Sequence, residues 1–241
     1  MHHVRALIVQ VTGTESREEV GVDIGRAVQF WTKDPDWIKK VLIGGILFFV
    51  PIIGWLIVGG YYIRTIQRVS SGIDTPLPEW GQWGDDLVRG LKLAGIMIIW
   101  LLPLWVISIC AFALGVIDDT AGGFAGVLLN CLGFIYSIAF YFIFPVLVGR
   151  FAANEQFNEA FQINQIIQDA QKIPSQLLIF VVMYFVLGFV AGLGLILCIV
   201  GVAFTGFIAY LVSGHLVAQI SNMLGYTQPQ QQQQAPPPPA M

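Results

Sequence analysis

The chain has 241 residues, of which 56% are hydrophobic and only 11% are charged. Soluble domains carry about 25% charged residues. With 12 Lys+Arg, 15 Asp+Glu, a net charge of -3 and a mean hydropathy of +0.73, the composition excludes a disordered chain, a nucleic-acid binder and an ordinary soluble enzyme. It describes an all-α integral membrane protein.

Residues 1–19 read as an N-terminal extension. The apolar stretch Ala6 to Val11 is too short for a signal peptide and runs into Thr12-Gly13-Thr14-Glu15. A polytopic membrane domain is expected over 20–225. It opens with Val20, Ile24, Ala27, Val28 and Trp31 at helical spacing, which predicts an amphipathic helix lying on the membrane surface.

Charges then leave three gaps. The first lies between Lys40 and Arg64, with Pro51-Ile-Ile-Gly54 at its middle. Proline removes a backbone donor and clashes with the preceding turn, so the stretch is either one kinked span or a hairpin turning at Pro51 to Gly54. Charge decides between them. Basic residues favour the cytoplasmic side of short loops, and a hairpin places all 12 on one side. The hairpin is the favoured reading and is expected to be shallow.

Next comes Thr75-Pro-Leu-Pro-Glu-Trp-Gly-Gln-Trp-Gly84, whose Trp80 and Trp83 suit the headgroup region. Asp85-Asp86 opens a helix, where acids favour the N-terminal dipole, and Asp85 and Arg89 stand at i,i+4. The second gap gives two spans, Leu93 to Ile117 and Phe124 to Val148, turning at Asp118-Asp119. Residues Ile163 to Ile173 form a second interfacial helix with Ile163, Ile166, Ile167, Ala170 and Ile173 on one face and Asn164, Gln165, Gln168, Asp169 and Lys172 on the other. The last gap, Leu177 to Ile220, would make a single helix of roughly 66 Å, about twice the hydrocarbon thickness. It must fold back, and Gly192, Gly194, Cys198 and Gly201 mark the bend. The expectation is therefore helical hairpins over 37–69, 93–148 and 177–220, four full spans plus the Pro-broken segment, with both termini cytoplasmic. The Gln- and Pro-rich tail, 226–241, cannot bury a core and is expected to be disordered.

A weak repeat links the first and last hairpins. Offset by 147 positions, Gly45, Gly54 and Gly59 fall on Gly192, Gly201 and Gly206. Small-xxx-small pairs (Ala111 with Gly115, Gly122 with Gly126, Gly188 with Gly192) read as packing within the chain.

Chemistry is scarce. Cys110, Cys131 and Cys198 form no CxxC or Cys/His cluster, and no nucleophile triad, HExxH or phosphate loop occurs. Glu79, Asp85 and Asp86 suggest a metal site only weakly, since a helix start explains the two aspartates. Asn130 and His215 are polar residues within spans and candidates on that ground, with an interhelical hydrogen bond expected for Asn130 and an interfacial position for His215. No catalytic, cofactor-binding or metal-ligating residue is assigned and no cofactor is expected.

The run Asp34-Pro-Asp-Trp37-Ile-Lys-Lys, Gly44-Gly45, Pro51-Ile-Ile-Gly54, Gly59-Gly60-Tyr61, Arg64, Arg68, Ser70-Ser-Gly72, Pro78-Glu-Trp80 and Asp85-Asp-Leu-Val-Arg-Gly90-Leu-Lys92 closely resembles the prokaryotic membrane family known as domain of unknown function 4013. Cys198-Ile-Val-Gly201 through Tyr210, Gly214-His215-Leu216 and Gln219 resembles that family's ending. The resemblance covers about residues 21 to 225. It implies a multi-pass protein of the bacterial or archaeal cell membrane and supplies no reaction or ligand.

The reading that follows is a non-enzymatic membrane scaffold or partner subunit. Its expected partners are the lipid bilayer and either another membrane protein or further copies of itself, with no nucleic acid. The alternative is a small-solute transporter or channel component. A third idea, an enzyme acting on lipid, would need Asp85, Asp86 and His215 to converge.

Overall fold

The structure is a computed structural model that describes residues 21–73, 77–117 and 121–226. The extension over 1–19, Asp118-Asp119 and nearly all of the 226–241 tail lie outside the described residues. Every regular element among those described is helical. In chain order they are α1 (Ile24–Gln29), α2 (Trp37–Phe48), α3 (Ile53–Ser70), α4 (Trp83–Ile117), α5 (Ala121–Asn154), α6 (Ile163–Lys172), α7 (Pro174–Leu193) and α8 (Cys198–Met223). Short 3-10 turns cover Phe30–Lys33, Phe157–Phe161 and Gly194–Leu197.

Four helices are long and apolar enough to cross a membrane: Trp83–Val116, Gly123–Asn154, Pro174–Ile196 and Val200–Met223. These are the four expected spans. The α4 helix starts ten residues earlier than the apolar run Leu93 to Ile117, because Asp85 and Asp86 sit in its first turn and carry the helix out of the hydrocarbon. Pro103 and Pro145 lie inside α4 and α5 without ending them. Near the first, the Tyr136 hydroxyl donates to the Trp100 carbonyl at 2.6 Å, tying the two helices where the ladder is weakest.

The Pro51 region is a hairpin. The α2 helix ends at Phe48, and Ile52 adopts φ 66°, a left-handed backbone that a β-branched residue takes only under constraint. Gly54 follows at a point where a Cβ would overlap the Leu47 carbonyl, so only glycine lets the two arms close. The turn satisfies much of its own backbone: the Phe49 and Val50 N–H groups donate to Ile46 and Leu47, Gly54 N–H donates to Val50, and the Trp55 indole donates to the Phe48 carbonyl at 2.9 Å. Both arms return to one level. The Lys40 carbonyl on α2 accepts from the Trp80 indole at 3.0 Å, and the Trp80 ring stacks on Tyr61 of α3 at 4.0 Å. At 1.5 Å per residue the tip lies roughly 15 Å from that level, about half the hydrocarbon thickness. Ile46, Phe49, Val50, Ile52, Ile53 and Trp55 on and beside the tip are exposed, which suits lipid.

The α8 helix is the axis of the core. Phe204 and Phe207 fill the space over Gly45 and Gly44 of α2, Tyr210 stacks on Tyr62 of α3 at 4.1 Å, and Gly214 lies against Tyr62 and Ile66. The α3 and α4 helices cross at a closer approach still: a Cβ on Gly60 would overlap the Asp86 backbone, and one on Gly90 would overlap the Leu56 carbonyl. On its other side α5 packs Phe144 and Tyr141 against Phe180 and Tyr184 of α7.

The bend of the last hairpin is the 3-10 turn Gly194–Leu197, where the glycines predicted it. The internal repeat survives in one respect. A Cβ on Gly54 would overlap the Leu47 carbonyl, and one on Gly194, the position that falls on Leu47, would overlap the Gly201 backbone. Elsewhere the copies differ, since Gly45 is covered by Phe204 while Gly192 and Gly206 face open space.

The first interfacial helix divides its apolar side between the protein and its surroundings. Ala27 and Phe30 are buried, whereas Ile24 and Val28 are exposed. The helix is shorter than expected and passes into the 3-10 turn at Phe30, which rotates the buried side.

Candidate functional site

The helix ends that carry the basic residues are gathered on one side, where three ion-paired clusters join connectors to helices. In the first, Lys40 is almost wholly buried. Its ammonium reaches Asp34 at 2.9 Å, Glu79 at 2.5 Å and the Leu77 carbonyl at 2.9 Å. Asp34 in turn accepts from the Leu77 and Asp36 N–H groups at 2.5 and 2.7 Å. Burial alone would raise the Asp34 carboxyl, but the Lys40 hydrogen bond and the two backbone N–H groups outweigh it and hold the pKa below the ordinary 3.8. The Tyr61 hydroxyl donates to the Pro78 carbonyl at 2.9 Å. The 77–80 segment is thus tied to both arms of the α2–α3 hairpin.

The second cluster sits at the α3–α4 crossing. Nε and Nη2 of Arg64 donate to Oδ1 and Oδ2 of Asp86 at 2.7 and 2.6 Å, a bidentate pair, and its two Nη groups also reach the Glu79 carbonyl at 3.1 Å. Arg89 reaches Asp86 at 3.7 Å and Glu155, just beyond α5, at 2.7 Å. Gln67 donates to Glu155 at 2.9 Å. Burial pushes the Glu155 carboxyl up, and the Gln67 and Arg89 hydrogen bonds bring it below its ordinary 4.5.

The third cluster closes α5 onto α6. Arg150 donates to Asp169 at 3.0 Å, Glu159 at 2.8 Å and Gln162 at 3.0 Å, with Gln165 also in contact. Asp169 further binds Lys172 at 2.6 Å and the Tyr226 hydroxyl. Burial works to raise Asp169, and its bonds from Lys172, Tyr226 and Arg150 win, holding it below 3.8. Beside these clusters, His215 is fully buried, with Nδ1 2.9 Å from Gln219 and its ring 4.6 Å from Phe30. Gln219 also bridges to the Asp23 backbone, which seats α1 on the end of α8.

The sequence candidates are thereby placed. Glu79 faces Lys40, Asp86 faces Arg64, and Asp85 is exposed, so the three acids are divided among different cations. Asp86 and His215 engage separate partners on separate helices. Among the described residues no group of three or more His, Cys, Asp or Glu side chains is placed to hold a metal ion. The expected Asp85–Arg89 pair is replaced by Asp86–Arg89, because Arg89 is drawn toward Glu155. Asp169, assigned to the solvent face of its helix, is buried on Arg150. Asn130 makes no interhelical bond among the described residues. Its amide donates to the Gly126 carbonyl one turn back, at 2.7 Å, and the side chain is exposed.

Gly60, Gly90, Arg150 and Asp169 help to position this layer, a role that the sequence alone assigned to none of them. Gly60 lies against Asp86 and Gly90 against Leu56, and no spacing in the sequence signals either approach.

Hollows open on the surface of the described residues. One, about 520 Å³, runs along the outer side of α2 past Pro35, Asp36, Lys39, Leu42 and Ile46. Another, about 170 Å³, lies between α7 and α8 against Tyr184, Gly188, Gly206, Tyr210 and Ser213.

Compared with known families, residues 43–200 match the one described as "Protein of unknown function (DUF4013)". No curated protein and no solved structure matches the chain.

Proposed function

The chain belongs to the family described as "Protein of unknown function (DUF4013)", and from that premise we propose that it is a non-enzymatic membrane scaffold or partner subunit. The observation that carries this is the use made of charge. Lys40, Arg64 and Arg150 are buried and each is spent on fixing a connector or helix end, as are Asp34, Asp86 and Asp169. Groups so committed are poor acids, bases or ligands for turnover, and they make a fixed platform on one face. In this reading that face and both termini are cytoplasmic, as the positive-inside rule favours, and the membrane is a prokaryotic cell membrane.

Isolation of the full tagged chain from its native membrane in mild detergent tests the reading. A membrane protein partner recovered in constant ratio, and destabilised when this chain is deleted, is the expected result. Recovery of the chain alone, with no complex altered by deletion, overturns it.

A second reading, a small-solute transporter or channel component, draws on the hollow between α7 and α8. Tyr184, Tyr210 and Ser213 bring hydroxyl groups to it about midway along their helices, and Ser213 Oγ lies 3.5 Å from the Tyr62 hydroxyl. Solute flux into vesicles holding the purified chain, reduced by Gly206→Leu, would favour this reading over the first.

A further inference from the structure

Asn130 sits where its chemistry is unmet. It lies about 14 Å along α5 from Ala121 and about 30 Å from Arg150 in the charged layer. A bilayer with its headgroups is about 40–45 Å thick, which puts Asn130 inside the hydrocarbon. One amide hydrogen goes to the Gly126 carbonyl. The second hydrogen and Oδ1 have no partner among the described residues. The neighbours on its face are no help: Val127 and Phe134 are 61% and 67% exposed, and a Cβ on Gly123 would meet nothing. Gly123, Val127, Asn130 and Phe134 stand at i, i+4, i+7 and i+11, one stripe of the helix. Lipid tails offer neither donor nor acceptor, so facing them the carboxamide forgoes its remaining bonds to water.

We infer that this stripe of α5 is the contact between two copies of the chain, with Asn130 paired to Asn130. Two features select a second copy over another protein. Copies inserted the same way, related by a two-fold axis along the membrane normal, bring identical residues to identical depth. A carboxamide carries both donor and acceptor and is therefore complementary to itself. Gly123, with open space above it, lets the two helices approach without a side chain between them. This outer half of the α4–α5 hairpin is free to take a partner: Ile109, Phe112, Val116 and Phe124 are all more than 60% exposed. The inference rests on the scaffold reading and gives it a first partner.

The test uses the full chain in membranes, with Cys110, Cys131 and Cys198 replaced by alanine. Single cysteines at Val127 and Phe134 should cross-link between copies on mild oxidation, and one at Leu132, on another side of the helix, should not. Asn130→Leu should weaken dimerisation roughly five- to thirty-fold, the effect of one interhelical amide pair, while Asn130→Gln retains it. A thermal midpoint for Asn130→Leu equal to the parent's shows that loss of the dimer is not loss of the fold; the Val127 and Phe134 cross-links decide the matter if that variant misfolds. No cross-link at either position, equal cross-linking at Leu132, or a dimer indifferent to Asn130→Leu overturns the inference. Copies that do not cross-link while the chain still recovers a membrane partner sink the dimer alone. Cross-linked copies that recover no other protein sink the wider scaffold reading and leave the dimer.

Discussion

Arg64 and Asp86 meet as a bidentate pair, 2.7 and 2.6 Å, at the point where α3 and α4 cross with only glycine between their backbones. Asp86 is fully buried and Arg64 nearly so. Removing one partner strands the other. Arg64→Ala should cost about 3–5 kcal/mol of stability, and Arg64→Met with Asp86→Leu should recover most of it, because two apolar groups of similar volume leave no buried charge. Thermal unfolding in detergent checks both. A single variant as stable as the parent would mean that water reaches the pair.

The same crossing forbids a methyl group. Gly90→Ala places a Cβ into the Leu56 carbonyl, and Gly60→Ala places one into the Asp86 backbone, so each must part the helices. A loss of about 1–3 kcal/mol is expected from overpacking. Gly188→Ala, which meets nothing within 4 Å, should be neutral in the same unfolding assay.

Acid should loosen the charged layer at three of its carboxyls, while Asp86, which burial holds above 3.8 despite Arg64, acts in the opposite sense. Asp34, Glu155 and Asp169 are all held below their ordinary values of 3.8, 4.5 and 3.8. A carboxyl depressed in the fold binds fewer protons there than in the unfolded chain. Its stabilisation is complete above the ordinary value and is lost as pH falls through the depressed one. The thermal midpoint should be level between about pH 5 and 7 with respect to these groups and fall below about pH 4. Asp169→Asn should flatten part of that fall.

Labelling should report the hairpin directly. In a cysteine-free chain, Thr32→Cys and Gly81→Cys flank α2 and α3 and should react with an impermeant reagent from the same side of the membrane. Asp119→Cys should react from the other. Opposite sidedness of Thr32 and Gly81 would restore a single span over 37–63.

The spans were legible because each is an uninterrupted apolar run of spanning length, and length alone counts passes. The Pro51 turn was legible because proline and glycine change the backbone whatever surrounds them. Pairing was not. Arg64 faces Asp86 because Gly60 lets two helices touch, and nothing in the spacing of Arg64 and Asp86 encodes that distance. Asp169 looked solvated because helical periodicity sorts residues by hydropathy, and a buried acid held by Arg150 from another helix breaks that sorting. Asn130 was visible as a polar residue in a span, but whether it turned inward or outward depended on how α4 and α5 rotate against each other.

The α2–α3 hairpin is shallow. Among the described residues, α2 and α3 run alongside the four long helices next to the charged layer, and only the four long helices continue beyond the Pro51 tip. The chain therefore displaces more lipid from one leaflet than from the other, and its cross-section tapers. A protein of that shape does not sit indifferently in a flat sheet. In vesicles of graded diameter it should partition toward those in which the crowded leaflet has the larger area.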